Sequence, residues 1–275
     1  MEHIINFFKG MIVGIANVIP GVSGGTIAVC TGIYEKLIST ISNFFKNFKK
    51  TFKSNIFFLI PIGLGAVVGI LAFSKLMTYL IENFPMQTNF TFIGLILGSM
   101  PLIFKKANLQ GFKKSYIIPG AVTFGIGIVL TILEIMNVTG TAISSFDINF
   151  GTIITLLLYG FISAASMVIP GISGSFMLLL LGSYTAIMTA ISALNIPVLI
   201  PFAIGAGAGV LVCSKVIDIL LEKFYGFTYY AIIGFILGSL PILYPGFAFN
   251  FAGLISIVLM IVGFVASFLL CKLEK

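Results

Sequence analysis

The sequence contains no arginine and no tryptophan, one histidine (His3) and three cysteines (Cys30, Cys213, Cys271). Only 8% of its residues are charged, against about 25% in ordinary soluble domains. The cysteines lie in apolar stretches without metal-ligand spacing, so they read as reduced packing residues, and neither a metal site nor a disulfide framework is expected. A single terminal histidine reads as solvated or interfacial and leaves no acid–base or nucleophile set, so no catalytic residue and no cofactor is expected. What the chain does have is apolar: 59% of its 275 residues. A soluble protein of this size cannot hide that much apolar surface. The composition therefore indicates an integral membrane protein and excludes a soluble enzyme, a nucleic-acid-binding domain and a disulfide-stapled secreted module. The net charge of +7, carried by lysines, marks cytoplasmic loops rather than a nucleic-acid partner.

The chain repeats itself. IPGVSGGTIAVCTGIY (19–34) resembles IPGISGSFMLLLLGSY (169–184), and 59–104 aligns with 199–244 at 20 identities in 46 ungapped positions. The identities include Pro, Gly, Ser, Lys and Glu, which chance similarity between apolar helices does not align. The reading is a duplication, 1–140 and 150–275, within one membrane domain.

A span needs about 20 apolar residues. Six are expected: 55–81, 88–104, 115–136, 199–221, 230–244 and 249–271. The apolar regions 4–42 and 151–192 are each interrupted by Ile-Pro-Gly and a Ser/Gly run, where proline removes a donor and glycine loosens the chain. Each region is expected to give two arms of about 16 residues, ~24 Å long. Such arms are marginal as spans, so re-entrant hairpins are expected, with tips buried in protein or facing a water-filled cavity. The loops with Lys46, Lys49, Lys50 and Lys53 and with Lys105, Lys106, Lys113 and Lys114 are separated by two crossings and share a side, expected to be cytoplasmic. Both termini fall on that side. The loops at 82–87, 137–150, 193–198 and 245–248 fall outside and contain no lysine. One hairpin plus three spans is an odd number of crossings, so the second repeat is expected to be inverted. The expected fold class is an all-α polytopic membrane protein of two inverted-topology repeats, an architecture of secondary transporters.

The tips carry the chemistry. Ser23 and Ser173 read as N-caps. Glycine-rich backbone at a helix start offers unpaired N–H groups to an anion, a phosphate or a carboxylate. The alternative is a tight turn with glycines for close packing. The expected headgroup site comprises Asn17, Gly21, Ser23, Gly24, Gly25 and Thr26 of the first tip and Gly171, Ser173, Gly174 and Ser175 of the second. Lys75 and Lys215, matched between repeats and placed within spans, are added as cations that reach substrate or snorkel. Asp218, at i+3 from Lys215, reads as its ion-pair partner. Glu35, Glu82 and Glu222 read as possible coupling groups or boundary residues, and Glu134 as a further candidate. Gly65/Gly69 and Gly205/Gly209 are small-xxx-small spacings for close helix approach.

The run ANVIPGVSGGTIAVCTGIYEKLI (16–38) resembles the bacterial family of polyprenyl-phosphate transporters, translocases of undecaprenyl phosphate formerly grouped as a domain of unknown function. The resemblance covers essentially the whole chain. In this run Asn17, Pro20, Gly21, Ser23, Gly24, Gly25 and Thr26 are present. The second tip has Met167 in place of Asn17, and Ser175 and Phe176 in place of Gly25 and Thr26, so it is expected to donate fewer polar groups. The resemblance implies outer-to-inner translocation of the lipid carrier in the bacterial cytoplasmic membrane, serving cell-wall synthesis. Its implied partners are the lipid phosphate and membrane lipids. Two alternatives remain at this point. An undecaprenyl-diphosphate phosphatase also has re-entrant hairpins and a Pro-Gly-x-Ser turn, but adds arginine and glutamates four apart; this chain has no arginine, and no two of its glutamates are four apart. A transporter of a small soluble anion would use similar tips.

Overall fold

The structure, a computed structural model, describes residues 2–17, 22–44, 48–143 and 145–273. Pro20, Gly21, Lys46, Glu274 and Lys275 lie outside them. Every regular element among the described residues is helical. They are α1 (Glu2–Asn17), α2 (Gly24–Cys30), α3 (Tyr34–Ser42), α4 (Phe48–Asn83), α5 (Pro85–Ala107), α6 (Ile117–Ile135), α7 (Phe150–Val168), α8 (Gly174–Leu180), α9 (Tyr184–Ser192), α10 (Ile196–Lys223), α11 (Tyr225–Ser239) and α12 (Phe251–Leu273).

Seven of these, α4 to α7 and α10 to α12, are long and apolar enough to cross a membrane. The six expected spans fall on α4, α5, α6, α10, α11 and α12. The seventh, α7, has 19 residues, so the ingoing arm of the second interrupted region is span-length rather than marginal. The return arms differ from expectation in another way. Each is two short helices, α2 with α3 and α8 with α9, and the second pair is bent by 117°. The breaks sit at Gly32 (φ 72°) and Gly182 (φ 70°), a left-handed conformation that costs glycine little and other residues more.

The duplication reappears in local detail. In both repeats the chain turns sharply at a phenylalanine, Phe84 between α4 and α5 and Phe224 between α10 and α11. Behind each turn a threonine hydroxyl donates to a leucine carbonyl, Thr88 to Leu80 at 3.2 Å and Thr228 to Leu220 at 2.9 Å. The closest helix pairs are α1 with α4, α7 with α10, α5 with α12 and α6 with α11. Exchanging the repeats maps this set onto itself: the first two pairs lie within a repeat and the last two cross between repeats. The repeats are interlocked, not side by side. Close approach rests on the expected glycines: a Cβ at Gly65 would overlap the Phe7 carbonyl oxygen, and one at Gly205 that of Leu157.

The symmetry fails at the return arms. α2 and α3 are built into the main core, where Ile27, Val29 and Ile38 pack with Ile96 and Met100 of α5 and Ile232 and Ile236 of α11. α3 also packs along α10. The second return arm sits in a separate small cluster of Leu178, Ile187 and Ala190 with Leu156 and Val198. No comparable packing joins α9 to α4 among the described residues. The candidate site lies beside this second arm, in a cavity lined by residues of α7, α8 and α9.

Candidate functional site

The two tips touch. The Gly171 N–H donates to the Thr26 hydroxyl at 2.8 Å. The Tyr34 hydroxyl of α3 donates to the Val168 carbonyl, at the last residue of α7, at 3.0 Å. A Cβ at Gly25 would stand 3.1 Å from the Met167 carbonyl oxygen and 3.4 Å from Pro170 Cα, so a bare α-carbon there lets the tips meet.

Ser23 caps α2, its hydroxyl accepting from Gly25 N–H at 3.2 Å. Ser173 caps α8, its hydroxyl accepting from Phe176 N–H at 3.4 Å and lying 2.8 Å from the Ser175 hydroxyl. Gly24 N–H donates to the Asn17 side-chain oxygen at 3.2 Å. Ser163 of α7 holds the second tip by donating to the Gly174 carbonyl at 3.0 Å.

These contacts revise the expected donor set. The amides of Gly24, Gly25 and Gly171 already serve Asn17, Ser23 and Thr26. α2 and α8 are seven residues each, too short to supply a strong end dipole. The groups left to meet a ligand are side chains. Asn17, Ser23, Ser163, Ser173 and Ser175 all line a cavity of about 580 Å³, together with Glu134. Gly24 and Gly174 line it through backbone. Thr26 is buried and does not line it; it clasps the tips. The second tip presents Ser173 and Ser175 to the cavity, as many polar side chains as the first presents in Asn17 and Ser23, and Ser163 of α7 adds a third hydroxyl beside it. A second cavity of about 450 Å³ shares Glu134 and Phe176 with the first, and a small recess brings Glu134 together with Gly171 and Ser173. The main cavity runs from the tips past Tyr184 and Ile191 of α9 to Phe202 of α10, toward the end of the molecule with the lysine-free loops.

The two span lysines do not join this site. Lys75 is on an exposed face of α4 and lines none of these cavities. Lys215 stands 3.8 Å from Asp218. Asp218 is buried and also accepts from Ser42 at 2.7 Å and Asn43 at 3.0 Å. This cluster fastens the end of α3 to α10. Glu35 makes a second fastening, paired with Lys106 of α5 at 3.1 Å and accepting from Tyr229 of α11. It is occupied as a structural contact away from the cavity. Glu82 and Glu222 are exposed near helix ends and line none of these cavities. Sequence reasoning missed Tyr34, Ser163 and the α3 fastenings. Tyr34 carried a usable signal, since the matched Tyr184 ends the same repeated run. Among the described residues no group of three or more His, Cys, Asp or Glu is placed to hold a metal.

Comparison with known proteins gives consistent results. Residues 13–250 match the family described as undecaprenyl phosphate translocase-like. A protein of Staphylococcus aureus (strain NCTC 8325 / PS 47) named polyprenyl-phosphate transporter is 35% identical over 278 residues, 98% of this chain and 96% of that protein. One of Vibrio cholerae serotype O1 with the same name is 32% identical over 256 residues, 89% of this chain and 79% of that protein. No solved structure matches. With the family matched along most of its length and both relatives similar over most of the chain, the chain is a multi-pass membrane protein that belongs to the undecaprenyl phosphate translocase-like family.

Proposed function

We propose that this protein moves a polyprenyl phosphate, undecaprenyl phosphate in a bacterial cytoplasmic membrane, from the outer to the inner leaflet. The phosphate head sits at the joined hairpin tips, against Asn17, Ser23, Ser173 and Ser175. An unsolvated phosphate in hydrocarbon is prohibitively costly. Hydroxyls and a carboxamide at mid-depth replace its water, while the isoprenoid tail stays in lipid. The observation that carries the reading is the tip-to-tip contact of Thr26 and Gly171 at the floor of a cavity.

The two repeats are inverted and work by alternating access. Support comes from the asymmetry of the return arms. The arm with the lysine-rich loop after it is fastened through Asp218 and Glu35. The other stands away from the core and borders the cavity. With lysines inside, this is an outward-facing state, ready to take a headgroup from the outer leaflet.

The test is binding of undecaprenyl phosphate to purified protein in nanodiscs, with undecaprenyl diphosphate and phosphatidylglycerol as competitors, followed by translocation in proteoliposomes. Preferential binding of the monophosphate is expected. Ser173→Ala combined with Ser23→Ala should weaken it at least tenfold, the scale of two lost hydrogen bonds to a charged group, whereas Lys75→Ala should leave it within about twofold, as expected for an exposed charge outside the seat. Equal affinity for all three lipids would reduce the site to a generic anion seat and overturn the reading.

A further inference from the structure

Glu134 is the feature the proposed cycle leaves unused. It is the next-to-last residue of α6. It lines the main cavity, the second cavity and the small recess, so it stands on the wall common to all three. Its recess neighbours include Gly171 and Ser173, part of the proposed phosphate seat. Its backbone carbonyl accepts from Asn137 N–H at 3.1 Å, but among the described residues no hydrogen bond or ion pair reaches its carboxylate. No lysine or histidine lines any of the three cavities. A carboxylate with no counter-charge inside a membrane protein is costly and calls for a functional account.

The elements around it supply nothing to neutralise it. Among the described residues Tyr184 is the only other titratable one lining these cavities. On α11, which packs along α6, Tyr225, Tyr229 and Tyr230 lie in the half remote from the recess, and the first two are bonded to Glu35. Lys114 precedes the opposite end of α6. Glu82 follows Ile81 on the rim of the second cavity and adds only negative charge. A phosphate arriving at Ser173 therefore meets an uncompensated negative charge, and nothing nearby cancels the repulsion except a proton on Glu134 itself.

We propose that Glu134 is the proton site of this transporter: its carboxylate takes one proton from the cavity side as the phosphate headgroup binds, so the two enter together. The inference rests on the proposed lipid-phosphate function. By linkage, headgroup and proton raise each other's affinity. A binding step that consumes a proton weakens up to about tenfold per pH unit as pH rises above the carboxylate's ionisation. A proton gradient directed inward then drives uptake from the outer leaflet.

The test measures binding of undecaprenyl phosphate to the full chain in nanodiscs by calorimetry, in two buffers of different ionisation enthalpy, across pH 6 to 9. Buffer dependence counts protons taken up. The wild-type protein is expected to take up about one more proton per headgroup than Glu134→Gln. That subtraction removes the phosphate's own second ionisation, near pH 6. Glu134→Asp should restore the uptake, which a merely structural role would not produce. Equal proton counts in wild type and Glu134→Gln, with binding intact, would overturn this inference and leave the transport reading standing. Absence of binding in the wild type would overturn both. If replacing sodium by choline abolishes wild-type binding and leaves Glu134→Gln unaffected, the group is a sodium site and the proton assignment is wrong.

Discussion

At the residue scale the decisive contact is one hydrogen bond. Thr26 looked like a phosphate ligand because its hydroxyl follows a Ser-Gly-Gly run. In the fold that hydroxyl accepts from Gly171 across the molecule. Gly171 has φ +85°, and a Cβ on it would stand 2.5 Å from the Phe235 carbonyl oxygen, so the backbone at this turn has nowhere else to go. Thr26→Val keeps the shape and removes the acceptor. It strands a half-buried N–H, which costs about 1–3 kcal/mol. The expected outcome is a lower melting temperature in detergent and weaker headgroup binding, with Thr26→Ser close to wild type on both measures. An unchanged melting temperature in Thr26→Val would mean that the tips hold together without this clasp.

At the scale of elements, helices that cross a membrane have no hydrophobic gain from packing on each other, so contact depends on how closely their backbones approach. Gly205 on α10 faces α7 so closely that any Cβ would overlap the Leu157 carbonyl oxygen, whereas Gly207 on the same helix has nothing within 4 Å. Gly205→Leu should force α7 and α10 apart and lower folded yield and melting temperature, at a cost of about 1–3 kcal/mol or more. Gly207→Leu is the control and should be neutral or slightly stabilising, because it adds a good helix former on an open face. Both are read by size-exclusion monodispersity and thermal melting.

The same scale shows what the amino-acid order discloses and what it does not. Spans were legible because about 20 apolar residues have few other uses. The glycine spacings were legible because they repeat at matched positions. The break at Gly32 and Gly182 was not, because CTGIY and LGSY read as apolar run and a lone glycine does not announce a left-handed turn. Lys75 stayed open between reaching substrate and snorkelling for a related reason: hydropathy says a lysine lies within a span, but not whether its face looks into the bundle or outward. Glu35 and Asp218 were visible as charges, yet their partners, Lys106, Tyr229, Ser42 and Asn43, come from remote parts of the chain. Such tertiary pairings carry no local signal.

At the scale of the whole molecule, the proposed alternating access requires two similar halves to take turns, and the difference between their return arms is the feature on which that proposal places the hold. The first arm carries Ser42, Asn43 and Glu35, which meet Asp218 and Lys106. The matched positions on the second arm are Ser192, Ala193 and Thr185, and the position matching Asp218 is Thr78. The second arm therefore has no comparable charged fastening to make. A bistable transporter needs each closure to be reversible, and polar contacts at a partly wet interface are suited to that because water replaces them when they part. On the proposed cycle, release of the α3 fastening precedes delivery to the inner leaflet. A lock between Ser42→Cys and Asp218→Cys tests this, in a background with Cys30, Cys213 and Cys271 changed to alanine. Under oxidation or with a short bifunctional crosslinker, translocation in proteoliposomes should stop and headgroup binding should persist. Reduction of the oxidised pair should restore transport. Full translocation by the verified crosslinked protein would mean that α3 and α10 need not separate, and the moving element would have to be sought in α8 and α9 alone.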